Sequence, residues 1–324
     1  MKYRSGCRML LATALACAAG AAVAQAWPTR PLRIITPFAA GGATDIFARG
    51  LAQPLQTALG QPVLVDNRPG GNFAIGTEAA AKAEPDGHTL FTVTSSHTLL
   101  EVLGVNRDKY RLMRDFIPVA ALNQTTCVLV VNPAVPVTTV RELVALAKAK
   151  PNQLNYASSG NGGMLHFAGE LFKSLSGTEM VHVPYKTGST ARVDLMSGRV
   201  QLMFDTLTDA AANVRAGKLR ALATCGTRRS SIFPDLPTIA EAGVPGYEVP
   251  VLIGIMAPTG TPRPVVDRLN LEIAKIVMQP ELRDAWAKMG SESTVMSPED
   301  LGRALNAEII KWDRVVKAAK ITAE

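Results

Sequence analysis

From Leu32 onward, short apolar runs alternate with amphipathic stretches, and the alternation continues almost to the end of the chain. "LRIITPF" (residues 32–38) reads as a buried strand. Asp45–Leu59 then sets Ile46, Leu51, Leu55 and Leu59 near one helical face, with Gly60 as a stop and Pro54 implying a kink. "PVLVDNRPGG" is a second strand ending in a turn, Thr77–Ala83 a short helix, and "HTLFTVTSS" a third strand. "CVLVVNP" opens a new series, followed by the helix "TTVRELVALAKAKP", which Pro151 stops. "LNYASSGNGGMLHFAGELFKSLSG" reads as strand, glycine-rich loop and helix, with Leu165, Ala168, Phe172 and Leu175 on one face. Strands "MVHVPY", "VQLMFD" and "LRALATC" and helices Ser189–Met196 and Ala210–Ala216 complete the middle. After "VLIGIMAP", three helices close the chain: Pro264–Met278, Glu281–Met289 and Pro298–Ala319. Strands alternating with helices predict an α/β fold with mainly parallel sheets. Its ligand crevice should lie where the carboxyl ends of the strands meet the helix starts.

The first 26 residues stand apart from this pattern. Lys2, Arg4 and Arg8 precede an uncharged run, Met9–Ala24, and "AQA" at 24–26 has the small residues of a cleavage site. The spacing predicts a secretory signal peptide cut after Ala26, with Trp27 first in the mature chain and the protein exported. Cys17 follows "ALA" and lacks the large aliphatic residue that a lipidation site carries three places earlier. The remaining 298 of 324 residues suit two domains of ordinary size. Without the three signal cations, 31 of the 34 basic residues face 27 acidic ones, a balance of +4. The basic residues are scattered and aromatics are few, which speaks against nucleic acid as a partner. No CxxC, HExxH or other metal spacing occurs, and His88, His97, His166 and His182 stand apart in sequence. Neither a metal nor a cofactor is expected. Cys127 and Cys225, both in apolar strand-like runs, are open to two readings: a disulfide or two buried thiols.

Chemistry concentrates in the strand-to-helix joins. In "PFAAGGATD" (residues 37–45), glycines allow close backbone approach, and the N–H groups at a helix start are unpaired and partially positive. Together they would make an anion site from Phe38, Ala39, Gly41, Gly42, Thr44 and Asp45. The competing reading is a tight turn in which Thr44 or Asp45 caps the helix. A P-loop is excluded by the missing GxxxxGK[ST], and a dinucleotide fingerprint by the missing GxGxxG. "YASSGNGGMLH" repeats the design with Ser158, Ser159, Gly160, Asn161, Gly162 and His166, and Thr94, Ser95 and Ser96 form a third join. Asp205 ends "VQLMFD" in the equivalent place, where it either caps the next helix or meets an amino or hydroxyl group of a ligand. Tyr185 and Lys186 in "VPYK" stand at another strand end. No GxSxG, paired-carboxylate or Cys-His motif points to catalysis, so no catalytic residue is assigned.

Several phrases together resemble the Bug family of periplasmic solute-binding proteins, the receptors of tripartite tricarboxylate transporters. They include "WPTRPLRIITPF", "GGATDIFAR", "LGQPVLVDNRPGG", "PDGHTL", "LNYASSGNGG", "VHVPYK", "GKLRALA" and "FPDLPTIAEAGVPGYE", and they span the mature chain. The resemblance implies a type II-like, two-lobed α/β binding protein that closes on a hinge like a Venus flytrap. Lobe 1 would comprise residues 27–125 and 250–324, and lobe 2 residues 126–249. It implies a small carboxylate ligand held largely by backbone amides of the loops around Phe38–Asp45 and Ser158–Gly163. Asp205 would repel a second carboxylate of such a ligand, favouring a monoanionic or polar-tailed acid, and Lys186 is either solvated or serves a distal carboxylate. It also implies a monomer that works with integral-membrane transporter subunits and is not an enzyme. A ligand sensor docking on a signalling partner, or an exported enzyme using the same cleft, are the alternatives. Ala40 stands where the family usually has proline, and the segment after His97 lacks its usual Asn-Pro phrase.

Overall fold

The computed structural model describes residues 27–319. The signal segment and its cleavage site after Ala26 lie outside the described residues, as do residues 320–324. Three parallel strands open the fold: β1 (Leu32–Thr36), β2 (Val63–Asn67) and β3 (Thr89–Thr94), with β1 between the other two. Helices α1 (Ala43–Leu59), α2 (Ala74–Ala81) and α3 (Ser95–Leu103) follow them in turn. A second parallel set comprises β5 (Asn155–Ser158), β6 (Val181–Pro184) and β7 (Leu202–Thr206). Its helices are α6 (Met164–Ser176), α7 (Gly188–Met196) and α8 (Leu207–Arg215); α4 (Leu112–Asp115) and α5 (Val140–Ala149) lie between the sets.

The sets share one strand. β4 (Phe116–Val131) is 16 residues long. Its first part, Phe116–Thr126, pairs with β9 (Pro250–Pro258), which in turn pairs with β3. Its last part, Cys127–Val131, pairs with β7 and β8 (Arg220–Thr224). The sheet order is therefore β2-β1-β3-β9-β4-β7-β5-β6, with β8 and the short β10 (Glu292–Ser293) also on β4. This is the α/β, two-lobed arrangement expected, with a correction to strand direction. β4 and β9 run antiparallel to their neighbours. These strands carry the chain between the two sets, and a passing strand need not share the direction of the βα repeats beside it.

Local chemistry accounts for most helix ends. α5 starts at a capping box in which Thr139 and Glu142 each satisfy the other's backbone N–H. α1 stops at Gly60, in the left-handed region at φ 72°. Pro54 is accommodated within one continuous helix. The buried face of α1 is built on Phe47, Leu51 and Leu55, and Ile46 turns outward, 37% exposed. Leu175 likewise faces out, while Leu165, Ala168 and Phe172 pack inward. Each fully buried leucine or phenylalanine here contributes roughly 1.5–3 kcal/mol. Gly169 lets α6 lie against Tyr156; a β-carbon there would stand 2.3 Å from the ring.

Helices α9 (Arg263–Val277), α10 (Pro280–Lys288) and α11 (Pro298–Ala319) return to the first set. Leu301 and Leu305 of α11 are fully buried, and Trp312 meets Phe167 of α6 at 4.9 Å between ring centroids. The two cysteines form a disulfide, with Cα atoms 5.0 Å apart and 98 residues of separation. It bridges β4 to the residue just past β8, where the Cys225 N–H also donates to the Cys127 carbonyl. Among the described residues no helix is long and apolar enough to cross a membrane, and no group of three His, Cys, Asp or Glu could hold a metal.

Candidate ligand-binding site

The join after β1 does not end in the cap that its sequence allows. Gly42 is the N-cap residue of α1, and no side chain accepts from the helix start. Thr44 and Asp45 lie inside the helix. The Asp45 carboxylate instead reaches back, accepting from the Gly41 N–H at 2.9 Å, from Arg49 Nε at 3.0 Å and from Asn67 Nδ2 at 2.8 Å. Burial pushes this carboxyl up, but bonds from Arg49, Gly41 and Asn67 outweigh it and hold it below its usual range. Asn67 also donates to the Phe38 carbonyl. Asp45 thus fixes the loop in shape. Gly41, at φ 80° with open space where a β-carbon would project, makes the turn that leaves the helix start accessible.

The join after β5 repeats this. Gly163 is the N-cap of α6, again without a side-chain cap. Ser158 Oγ lies 2.7 Å from His182 Nε2 and accepts from the Gly160 N–H. His166 Nδ1 accepts from the Gly162 N–H at 3.1 Å. The His166 and His182 rings stack at 3.9 Å, with Tyr156 on His182 at 4.9 Å. Burial, with His166 adding, lowers the His182 pKa to about 3; burial also lowers that of His166. A neutral Nδ1 is what the Gly162 bond requires. Ser159 and Asn161 are half-buried on the same loop.

Helices α3, α7 and α8 contrast with these two. Thr94, Thr187 and Thr206 accept from their own helix starts. Among these five, only α1 and α6 have an N-cap residue with no side chain to accept from the helix start.

The two glycine joins come together through the third. Ser96 Oγ, on the first strand set's α3, accepts from the Met164 N–H at the start of α6. Phe73 lies against Phe38 at 4.7 Å and against His97 at 5.6 Å, and its ring edge reaches to 3.8 Å from where a Gly163 β-carbon would stand. Phe38, Ser96 and the Gly160–Gly163 loop are therefore neighbours. Ser95 points the other way: its hydroxyl donates to Glu308 of α11 and accepts from the Leu252 N–H of β9. Ala39 accepts from Gly42 N–H in the turn. Tyr185 places its N–H on the Ser158 carbonyl and its hydroxyl on Asp194, and Lys186 is exposed.

Asp205 is 1% exposed and already paired. Arg192 Nη1 lies 3.0 Å from both of its oxygens and 3.2 Å from Asp209. Burial pushes the Asp205 carboxyl up to about 7, against the pull of Arg192. The helix after β7 is capped by Thr206 rather than by Asp205. Arg192, Phe73, His97 and His182 were not singled out as site residues from sequence. Arg192 lies 13 residues before Asp205 on a helix without amphipathic pattern, so only the fold reveals the pair. Phe73 follows "PVLVDNRPGG", a stretch that in sequence reads only as a strand ending in a turn. Two surface grooves, of about 330 and 410 Å³, lie elsewhere, the first beside Glu101, Arg111 and Asp313 and the second beside Pro133 and Phe233.

The tripartite tricarboxylate transporter family receptor model matches residues 47–321. The chain belongs to this receptor family. Protein BugT of Bordetella pertussis is 35% identical over 295 residues, covering 91% of this chain and 90% of BugT. A Rhodopseudomonas palustris protein solved with adipate superposes with a TM-score of 0.87 at 36% identity, over 91% of this chain and 99% of that one. MatC of the same organism, solved with malate, gives 0.84 at 30% identity, over 90% and 100%. The receptor thus has the two-lobed fold of periplasmic solute-binding proteins of the Bug type, and the resemblance read from its sequence phrases is correct.

Proposed function

We propose that this receptor binds a small organic carboxylate between its two lobes and hands it to membrane subunits of a tripartite tricarboxylate-type transporter, without chemical turnover. The observation that carries the reading is a pair of glycine-capped helix starts, at Gly42 and Gly163, neither capped by its own N-cap side chain, with Phe73 touching both Phe38 of the first loop and the Gly163 end of the second. Such N–H groups attract a carboxylate through hydrogen bonds that charge strengthens, so no arginine clamp is needed. Adipate and malate in the two R. palustris relatives support the ligand class. We assign residues 27–125 and 250–324 to one lobe and 126–249 to the other. The β4 crossing at Thr126–Cys127 and the return at Val249–Pro250 would then form the hinge. Ligand contacts fall to the Phe38–Thr44 turn, Ser96 and the Ser158–Gly162 loop. Asp45, Ser95, Tyr185 and Asp205 support the site from behind. The signal peptide would be removed after Ala26 during export.

Isothermal titration of the chain from Trp27 with adipate, malate, succinate, benzoate and uncharged amides tests this. Saturable binding of an acid, recovered unchanged, is expected. The Gly42→Val protein should fold and lose that binding, because Gly42 has an ordinary φ of −81° while its side chain would crowd the helix start. Equal binding of amides and acids, or consumption of the acid, would refute the reading.

A further inference from the structure

The most unusual backbone near the cleft belongs to a large side chain. Phe73, the N-cap residue of α2, has φ 68° and ψ −3°, and Asn72 before it has φ 52°. Glycine adopts this left-handed region freely, but an aromatic residue there is an outlier that surrounding contacts must hold. Asn106 Nδ2 donates to the Gly71 and Asn72 carbonyls, and Thr77 donates to the Phe73 carbonyl through both N–H and hydroxyl. The backbone is thus fixed so that the ring crosses from the first strand set to the Gly160–Gly163 loop of the second.

The surroundings of the ring are aromatic. Phe38 lies 4.7 Å away at a 38° tilt, and His97 lies among Phe38, Phe73 and Phe91 at 5.9, 5.6 and 5.1 Å. His97 is fully buried. Its Nδ1 accepts from the Thr94 N–H, so the neutral ring carries its proton on Nε2, and that N–H has no hydrogen-bond partner. Buried polar groups without a partner are rare, and this one sits in the same cluster of rings as Phe73.

Building on the carboxylate reading above, we propose that Phe73 is the specificity-determining residue of the site. Its ring, backed by Phe38, gives the ligand's body an aromatic face that selects a flat, apolar monocarboxylate such as an aromatic acid. The ligand carboxylate would take the N–H groups of the glycine-capped helix starts. Its ring would stack on Phe73, and a polar substituent would meet the His97 N–H. A second carboxylate laid on these phenylalanine rings would lose its hydration without gaining donors.

Binding of benzoate, 4-hydroxybenzoate, adipate and malate to the wild type, Phe73→Gly and Phe73→Leu chains from Trp27 tests the proposal. In the wild type the aromatic acids should bind tighter than the dicarboxylates. Phe73→Gly suits the left-handed backbone and should keep its thermal midpoint, while aromatic affinity falls roughly tenfold relative to adipate. Phe73→Leu, which keeps the bulk without the ring, should fall in the same direction. Tighter wild-type binding of adipate or malate, or an unchanged preference in both variants, would overturn the role of Phe73 and leave the receptor reading standing. No binding of any acid by the wild type would remove both.

Discussion

His97 offers a clean measure of how the first strand set tolerates acid. Burial lowers its pKa from 6.5 to about 4, and its Nδ1 must stay unprotonated to accept from Thr94 N–H. A folded-state value below the unfolded one means the folded protein binds fewer protons between the two. The stabilisation from keeping His97 neutral is therefore full above the unfolded value and is lost as pH falls from 6.5 toward 4. Between pH 7 and pH 5 that loss is about 2 kcal/mol for one such group. Glutamine at the third helical position can still complete the capping box with Thr94, so His97→Gln removes the titration while keeping the acceptor. Asp205 and Glu308, whose pKa values burial raises, act with the opposite sign, holding protons in the folded state. Both proteins carry them, so they cancel in the comparison. Urea unfolding followed by tryptophan fluorescence at pH 7 and pH 5 gives the two stability gaps. The variant should be less stable at pH 7 through lost ring contacts, with the gap narrowing by about 2 kcal/mol at pH 5. An equal gap at both pH values would refute the neutral, Nδ1-accepting histidine.

Two other perturbations test the second strand set. Arg192→Met leaves Asp205 buried beside Asp209 without its cation, which should cost about 3–5 kcal/mol at pH 8 and less at pH 6, where Asp205 can take a proton. Thermal melts at both pH values check this, and unchanged stability at pH 8 would show that the pair is not compensated by Arg192. Replacing Cys127 and Cys225 together by serine opens a 98-residue loop and should cost up to about 4–5 kcal/mol. The urea midpoint against wild type, with and without dithiothreitol, reads this directly, and coincident midpoints would contradict it.

Much of this architecture is legible from local chemistry. Gly60 and Gly177 mark helix ends in sequence because only a left-handed residue lets the last carbonyls close, and both sit there at positive φ. The βα joins at Gly41–Gly42 and Gly160–Gly163 are visible because glycine clusters between an apolar run and an amphipathic one have few other uses. What stayed hidden depends on partners far away in the chain. The first eleven residues of β4 include Pro118 and the polar Asn123–Thr126, so their apolar signal is interrupted, and an apolar run carries no sign of strand direction. Asp205 reads in sequence as a cap or a ligand contact, and nothing there shows that Arg192 stands beside it. Thr44 and Asp45 have good capping chemistry, yet Asp45 is drawn to Gly41, Arg49 and Asn67, a choice made by tertiary neighbours.

The Cys127–Cys225 bond also changes how the molecule carries load. Cys127 stands where β4 enters the second strand set and Cys225 follows the end of β8, so the bond short-circuits β5 to β8, and the link from Cys225 to β9 lies outside the closed loop. Tension applied between Trp27 and the end of α11 would pass from Cys127 straight to Cys225. The enclosed segment, with a contour of about 330 Å at full extension, would lie outside the line of force. A receptor tugged at its ends would pay out its first strand set and the link back to β9, while β5, β6 and β7 with their glycine loop stayed slack and folded.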